Sequence, residues 1–442
     1  MEGFELRLLH FADLHLGVES GGHLHAETGL NQRIVDVCER FDELCEIVEA
    51  EGVHAVLFAG DAFKNQHPTP TLQSLFASRV RRLHRAGAAI FLLIGNHDLP
   101  RMGGLAHPFS IYEALEVEGV VIGDRARVYR LPLGSQAPAA ELQVAALPHF
   151  SRHQALAQAP EAVRDPEAWV EEQVARTVKG LTADLDPAVP SVFVGHCHVN
   201  QAALGEAQNM FAISDVEVSL STLISGRPLP YYALGHVHKR QVLSDDPFVA
   251  YSGSLERVDF SEGERVDVAA DGAVRRREAE AKGFYRADLV GGRADLVGGG
   301  SEGWRLAAPP ELRRVRARSF VTIRMETITH DDPMADLRAR IERVREAGVD
   351  LTDALVRITG TIDPDDRARL NPTAARRLLP EAYAVRIAFE AQDAPAARDP
   401  RFAKQMSEIE ALDRYLETRT DWRDDRADLA RLGRDLITEA GA

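Results

Sequence analysis

Apolar residues recur along the first half of the chain in two alternating rhythms. Leu6 to Phe11 is a short, strand-like apolar run. Ile34, Val37, Cys38, Phe41, Leu44, Cys45 and Val48 then fall at helical spacing, and Gly52 closes that helix. Val53 to Ala59 is again strand-like, Leu72, Leu75, Phe76, Val80 and Leu83 mark a second helix stopped at Gly87, and Ala88 to Ile94 is the next strand. Further on come a helix through Trp169, Val170, Val174, Val178 and Leu181, a strand Ser191 to Val194 and a strand Tyr231 to Leu234. Strands alternating with helices predict an α/β domain built on a largely internal sheet.

The texture changes near residue 262. Charged segments lead to a strand at 283–289, followed by a near-repeat, ADLVGG, at 287–292 and 294–299, which reads as a slipped duplication in a loop. Strands at 320–326, 354–362 and 382–390, with a helix through Met334, Leu337, Ile341 and Val344, predict a small α+β domain. Two amphipathic helices at 401–416 and 427–438 are expected at the tail. The organisation expected is 1–262, 263–392 and 393–442, since 442 residues exceed one compact core.

Composition narrows the class only a little. Hydrophobic content of 45% and charged content of 27% are ordinary for a soluble protein, and no apolar run approaches a membrane span. The N-terminus does not resemble a secretory signal, and the three cysteines lack metal-ligand spacing, so a cytoplasmic location is expected. A net charge of −16 argues against nucleic acid. Two segments run the other way: residues 62–110 and 304–324 each hold six basic residues against one acidic. Charge therefore leaves the partner open.

The ends of the strands carry the chemistry. The first strand ends in Asp13 and His15 (HFADLH), the next in Asp61 (LFAGD) and the third in Asn96, His97 and Asp98 (LLIGNHD). Two later strands end in His196 and His198 (VFVGHCH) and in His236 and His238 (YALGHVH). The carboxyl ends of strands in an open α/β sheet share one rim, where ligands bind. Aspartate, asparagine and histidine suit Mn, Fe, Zn or Mg and require no thiolate. The donors exceed what one ion uses, which predicts two. Glycines 60, 95, 195 and 235 precede them and suit a sharp exit from the sheet.

In this order, DxH, GD, GNHD, a later His and GHVH, the motifs resemble the calcineurin-like metallophosphoesterases. Within that family the chain is similar to the nuclease subunits of SbcCD-type double-strand-break repair complexes. YSGSLERVDFSEGE (251–264) resembles the segment leading out of their catalytic domain, and KGFYRADL (282–289) the strand opening their capping domain. The fold so implied is a four-layer α/β/β/α sandwich with a small α+β capping domain and C-terminal helices.

The resemblance implies one metal held by Asp13, His15, Asp61 and His238, and another by Asp61, Asn96, His196 and His236, with His198 an alternative to His196. Manganese is the ion it implies. His97 would stabilise the transition state or protonate the leaving oxygen, with Asp98 orienting His97 or merely capping the turn. The position three after Asp61, often histidine in relatives, is Lys64 here. His149, His153, His23 and His25 read as surface or structural residues. Implied partners are DNA, as duplex ends and single strands, an SbcC-type ATPase docked on the tail helices, and a second copy of the chain. Arg79–Arg85 and the arginines at 313–318 are candidate DNA contacts. The alternatives are a small-molecule or cyclic-nucleotide phosphodiesterase and a non-catalytic scaffold.

Overall fold

A computed structural model of the chain describes residues 4–391 apart from 101–104, 136, 138, 151–155, 157–159, 161–162, 206–207, 209–215, 292–302, 329–331, 363–365 and 367–368, together with 427 and 429–434. His153, the second ADLVGG copy and the tail helix 401–416 lie outside the described residues, as do residues 428 and 435–438 of the second tail helix. The chain divides into two compact units, 1–392 and 393–442.

Two sheets form the centre of the first unit. In the first, the parallel strands Phe4–Phe11, Ala55–Phe58, Ala89–Leu93 and Val120–Gly123 lie side by side. In the second, Glu141–Leu147, Ser191–His196, Tyr231–Gly235 and Phe248–Tyr251 run parallel, flanked by the antiparallel edge strands Arg127–Pro132 and Gln241–Asp245. Their inner faces meet in one apolar layer: Leu8, Leu57, Phe91 and Ala287 from one sheet pack with Val144, Val194, Tyr231 and Ala233 from the other. The helices Gln32–Glu51 and Pro70–Arg85 cover the outer face of the first sheet, and Pro166–Ala183 covers that of the second. These are the four layers expected of the fold.

Local chemistry explains the helices. Asn31 caps the first by accepting from the Arg33 amide, and Gly52 ends it in the left-handed conformation at φ 62°. Thr69 caps the second ahead of Pro70. A third sheet runs Val274–Arg277, Glu264–Val268, Phe320–Ile328, Leu355–Ile362 and Ala384–Ala391, with helix Pro333–Glu346 packed on it.

One expectation is corrected here. The strand Gly283–Gly291 does not open the capping domain; it pairs antiparallel with Phe4–Phe11 in the first sheet, from Phe4 opposite Gly291 to His10 opposite Tyr285. Its alternation explains the placement: Phe284 enters the core under the outer helices, while Tyr285, Ala287 and Leu289 enter the layer between the sheets. Glu311–Arg314 pairs with the same strand. The third sheet is therefore reached by a hairpin at 264–277, left, and re-entered at residue 320.

Several arginines of the basic segments form ion pairs across elements. Arg79 and Arg82 pair with Asp42 and Glu49 of the neighbouring helix, Arg313 with Glu51, and Arg316 with Glu43. Arg318 is nearly buried and grips Asp36 through two nitrogens at 2.7 and 2.8 Å. Opposite charges on adjacent elements claim these guanidinium groups, a pairing invisible to a count along the chain.

Candidate metal centre

The strand ends converge on one rim shared by the first two sheets. Asp13, His15, Asp61 and His236 all adopt positive φ, of 54°, 45°, 61° and 95°. Such backbone costs energy for residues with a Cβ and clusters at functional sites. Close main-chain contacts hold it: the Asp13 amide donates to the Gly60 carbonyl at 3.0 Å and the His15 amide to the Asp61 carbonyl at 3.1 Å. A side chain at Gly95 would strike Asp61, and one at Gly235 would strike the Ala59 carbonyl, so these turns require glycine.

Around this backbone the donors fall into overlapping groups. Asp13, His15 and His238 offer ligand atoms within 4.8 Å of one another, as do Asp13, Asp61 and His196, and His15, Asp61 and His97. His15 Nε2 and His238 Nε2 face each other at 2.8 Å. Asp61 Oδ2 lies 3.7 Å from His15 Nε2 and 3.4 Å from His196 Nε2, a position between the two sets. Asn96 Oδ1 lies 3.0 Å from His196 Nε2 and 3.1 Å from His236 Nδ1. Of the two candidates in GHCH, His196 is the one whose ring meets Asp61 and Asn96; His198 sits on a two-residue strand paired with Glu217–Val218. Buried carboxylates, an amide oxygen and imidazoles converging in this way fit a pair of divalent ions.

Hydrogen bonds to the outer ring nitrogens aim the inner ones. His196 Nδ1–H donates to the Ala59 carbonyl at 2.6 Å, and His238 Nδ1–H to Glu262 Oε1 at 3.0 Å, leaving both Nε2 atoms for the centre. Burial opposes charge on Asp61 and His196 alike, but each supports the other: Asp61 is held well below the usual carboxylate range and His196 is pushed up to about 9. Burial, against the charges of nearby histidines, pushes Asp13 up; burial and then the charge on His238 pull His15 down.

Asp98 does not orient His97. Its carboxylate accepts from the amides of Asp61 at 2.9 Å, Ala62 at 3.1 Å and Gly95 at 3.1 Å, tying the ends of two strands together. Burial, then the charge of Asp61, pushes it up to about 7. The group that orients His97 is the carbonyl of Lys64, which accepts from Nδ1–H at 2.7 Å; the His97 amide donates to Asp61 Oδ1 at 2.8 Å.

Three participants escape a reading of the sequence. His149 follows the strand Glu141–Leu147, and its ring stacks on His236 at 5.9 Å and meets His196 edge-on at 6.2 Å. The apolar run before it was the available signal. Gln208 accepts from the His238 amide at 3.1 Å and donates to the His236 carbonyl at 2.8 Å, stapling the GHVH turn. Nothing in the chain around Gln208 marks it. Glu262 lies within the 251–264 segment already singled out, without a role.

Similarity to known proteins agrees with this geometry. The chain is 26% identical over 271 residues to the SbcD component of the SbcCD nuclease of Bacillus subtilis (strain 168), covering 58% of this chain and 63% of the relative, less than two thirds of its length. It is 25% identical over 400 residues to the SbcD nuclease component of Rhodobacter capsulatus, covering 84% and 93%. A dimetal phosphatase from Danio rerio aligns over 70% of this chain and all of its own at 13% identity, with a TM-score of 0.34, too slight a likeness to carry weight. Residues 6–240 match the family model described as calcineurin-like phosphoesterase, the span that holds every donor above, and the chain belongs to that family.

Proposed function

We propose that the chain is a manganese-dependent DNA nuclease, the SbcD-type subunit of a double-strand-break repair complex. The observation that carries this reading is Asp61 placed between two donor sets with His97 beside it. Similarity over 84% of the chain to a relative named as a nuclease component supports the substrate.

Asp13, His15, Asp61 and His238 would hold one ion, and Asp61, Asn96, His196 and His236 the other. Such a pair supplies Lewis acidity to the phosphate and an activated water. His97 is half-buried and fixed through Nδ1–H, so Nε2 faces the site and, with the ring as imidazolium, is the atom that gives a proton to the leaving oxygen. Lys64, Arg81 and Arg85 are exposed on the same sheet's loops and helix and are the basic groups for phosphate contact. An apolar cavity of about 420 Å³ between helices Pro70–Arg85 and Ser110–Ala114, with exposed Ile111 and Leu115 beside it, is the face on which a second copy would dock. An SbcC-type ATPase is the partner proposed for residues 393–442.

Nuclease assays on linear duplex and single-stranded DNA with Mn²⁺ test the reading. The wild type is expected to cut, and His97→Ala to keep its metal while losing roughly 10²–10⁴-fold in rate. Metal-loaded wild type that spares DNA yet hydrolyses a chromogenic diester would instead make it a small-molecule phosphodiesterase.

A further inference from the structure

After Tyr251 the chain passes Ser254 and reaches Glu262 at the end of the single turn Phe260–Glu262. It then forms the hairpin Glu264–Val268 and Val274–Arg277 of the third sheet and returns at Lys282, just before the strand Gly283–Gly291. The outgoing and returning ends meet behind the metal centre. Lys282 Nζ donates to Glu262 Oε2 at 2.5 Å, to Ser254 Oγ at 2.6 Å and to the His238 carbonyl at 3.0 Å. Ser254 Oγ–H donates to Glu262 Oε2 at 2.7 Å, and the other oxygen, Oε1, takes the His238 Nδ1–H. The side chains of Lys282 and Glu262 are only 5% and 6% exposed.

A buried ammonium and carboxylate are costly unless fully bonded, and a hydrophobic pair of the same volume would tie two strands together as well. Here all three ammonium protons are used, and both partners spend a bond on the same residue. Glu262 holds the ring of His238, Lys282 holds its carbonyl, and Gln208 accepts from its amide. A mere strand tie has no reason to converge on the ring and backbone of one residue.

We infer that Glu262 and Lys282 are a positioning pair that fixes the tautomer and aim of His238 and links this one metal ligand to the base of the third-sheet hairpin. The inference rests on the metal-dependent reading above. It assigns the pair no contact with substrate. It also makes the two metal positions unequal: the one served by His238 depends on the pair, while the one served by His196 depends on the Ala59 carbonyl.

Mn²⁺ titration of the full chain by calorimetry, followed in parallel by electron paramagnetic resonance, tests this without any DNA. The variants are Glu262→Gln and the double change Glu262→Gln with Lys282→Met, which avoids leaving one buried charge alone. The wild type should bind two ions. Both variants should bind one with wild-type affinity and the other about 10–100-fold more weakly. Folded variants that bind both ions as the wild type does would overturn the inference and leave the pair a strand tie. A wild type that binds no Mn²⁺ would overturn the metal-dependent reading itself. Should the variants not fold, ¹⁵N resonances of the metal-free wild type decide: His238 must carry its proton on Nδ1, and a proton on Nε2 sinks the assignment.

Discussion

The rim of the first two sheets and the third sheet are both built mainly on parallel strands, yet they use their residues in opposite ways. At the rim, four non-glycine residues hold positive φ, each at a cost of about 1–3 kcal/mol, and carboxylates and imidazoles lie buried. In the third sheet, Val321, Ile323, Val356 and Ile358 pack in register against Leu337, Ile341 and Val344, and Asp353, in the loop before the strand Leu355–Ile362, is the described non-glycine residue there with positive φ. One region accumulates strain and desolvated charge; the other is ordinary apolar packing. Strain of this kind persists only where surrounding structure over-determines it. At the rim that structure is Asp98, Gln208 and Glu262, polar groups bonded to backbone and ring atoms.

If that division is right, damage to the two regions separates cleanly. Ile358→Ala should cost roughly 2–5 kcal/mol in urea unfolding, through lost burial and a cavity, with Mn²⁺ affinity unchanged once the protein is folded. A shift in affinity would break the comparison. Asp98→Ala should cost on the order of 3 kcal/mol because three buried amides lose their acceptor, and it should disturb metal binding as well. A variant that loses stability but keeps both metal affinities would show the turn to be held by other means. Asp61→Asn should lower Mn²⁺ affinity by more than about 100-fold, beyond the loss of an outer partner.

The smallest effect concerns the seam between the regions. Burial alone would raise Asp36, but hydrogen bonds from Arg318 and Gln32 and the charge of Arg33 outweigh it and hold Asp36 below its ordinary 3.8. A depressed carboxyl contributes stability above its unfolded value and loses it as pH falls through the folded one. Wild type should therefore exceed Asp36→Asn by on the order of 1 kcal/mol near neutrality, and the two curves should converge in acid below pH 3.8. Parallel curves down to low pH would remove Arg318–Asp36 as a stabilising contact.

Much of the rim was legible because its information is local. An apolar run, a glycine and one to three polar donors lie within ten residues at Phe58–Asp61, Leu92–Asp98 and Leu234–His238, and strand direction alone puts such ends on one edge. His149 ends a strand in the same way, yet it read as a surface or structural residue because proline and no glycine introduces it. The edge strands Arg127–Pro132 and Gln241–Asp245 are half polar and short, so their periodicity is weak. The partners of the arginine clusters were not legible because a charge count sees neighbours along the chain, whereas Asp36, Asp42 and Glu49 approach from another element.

By itself, then, the sequence determined the alternating elements, the donors at the strand ends and the family they resemble, since each depends on spacings of a few residues. Tertiary structure alone decided that His196 rather than His198 meets Asp61, that Asp98 serves backbone amides, that strand Gly283–Gly291 joins the first sheet, and that Glu262 and Lys282 close on His238. Those pairings join residues from 20 to more than 250 positions apart. Burial and hydrogen-bond satisfaction select them once the chain is compact, and no local pattern encodes that selection.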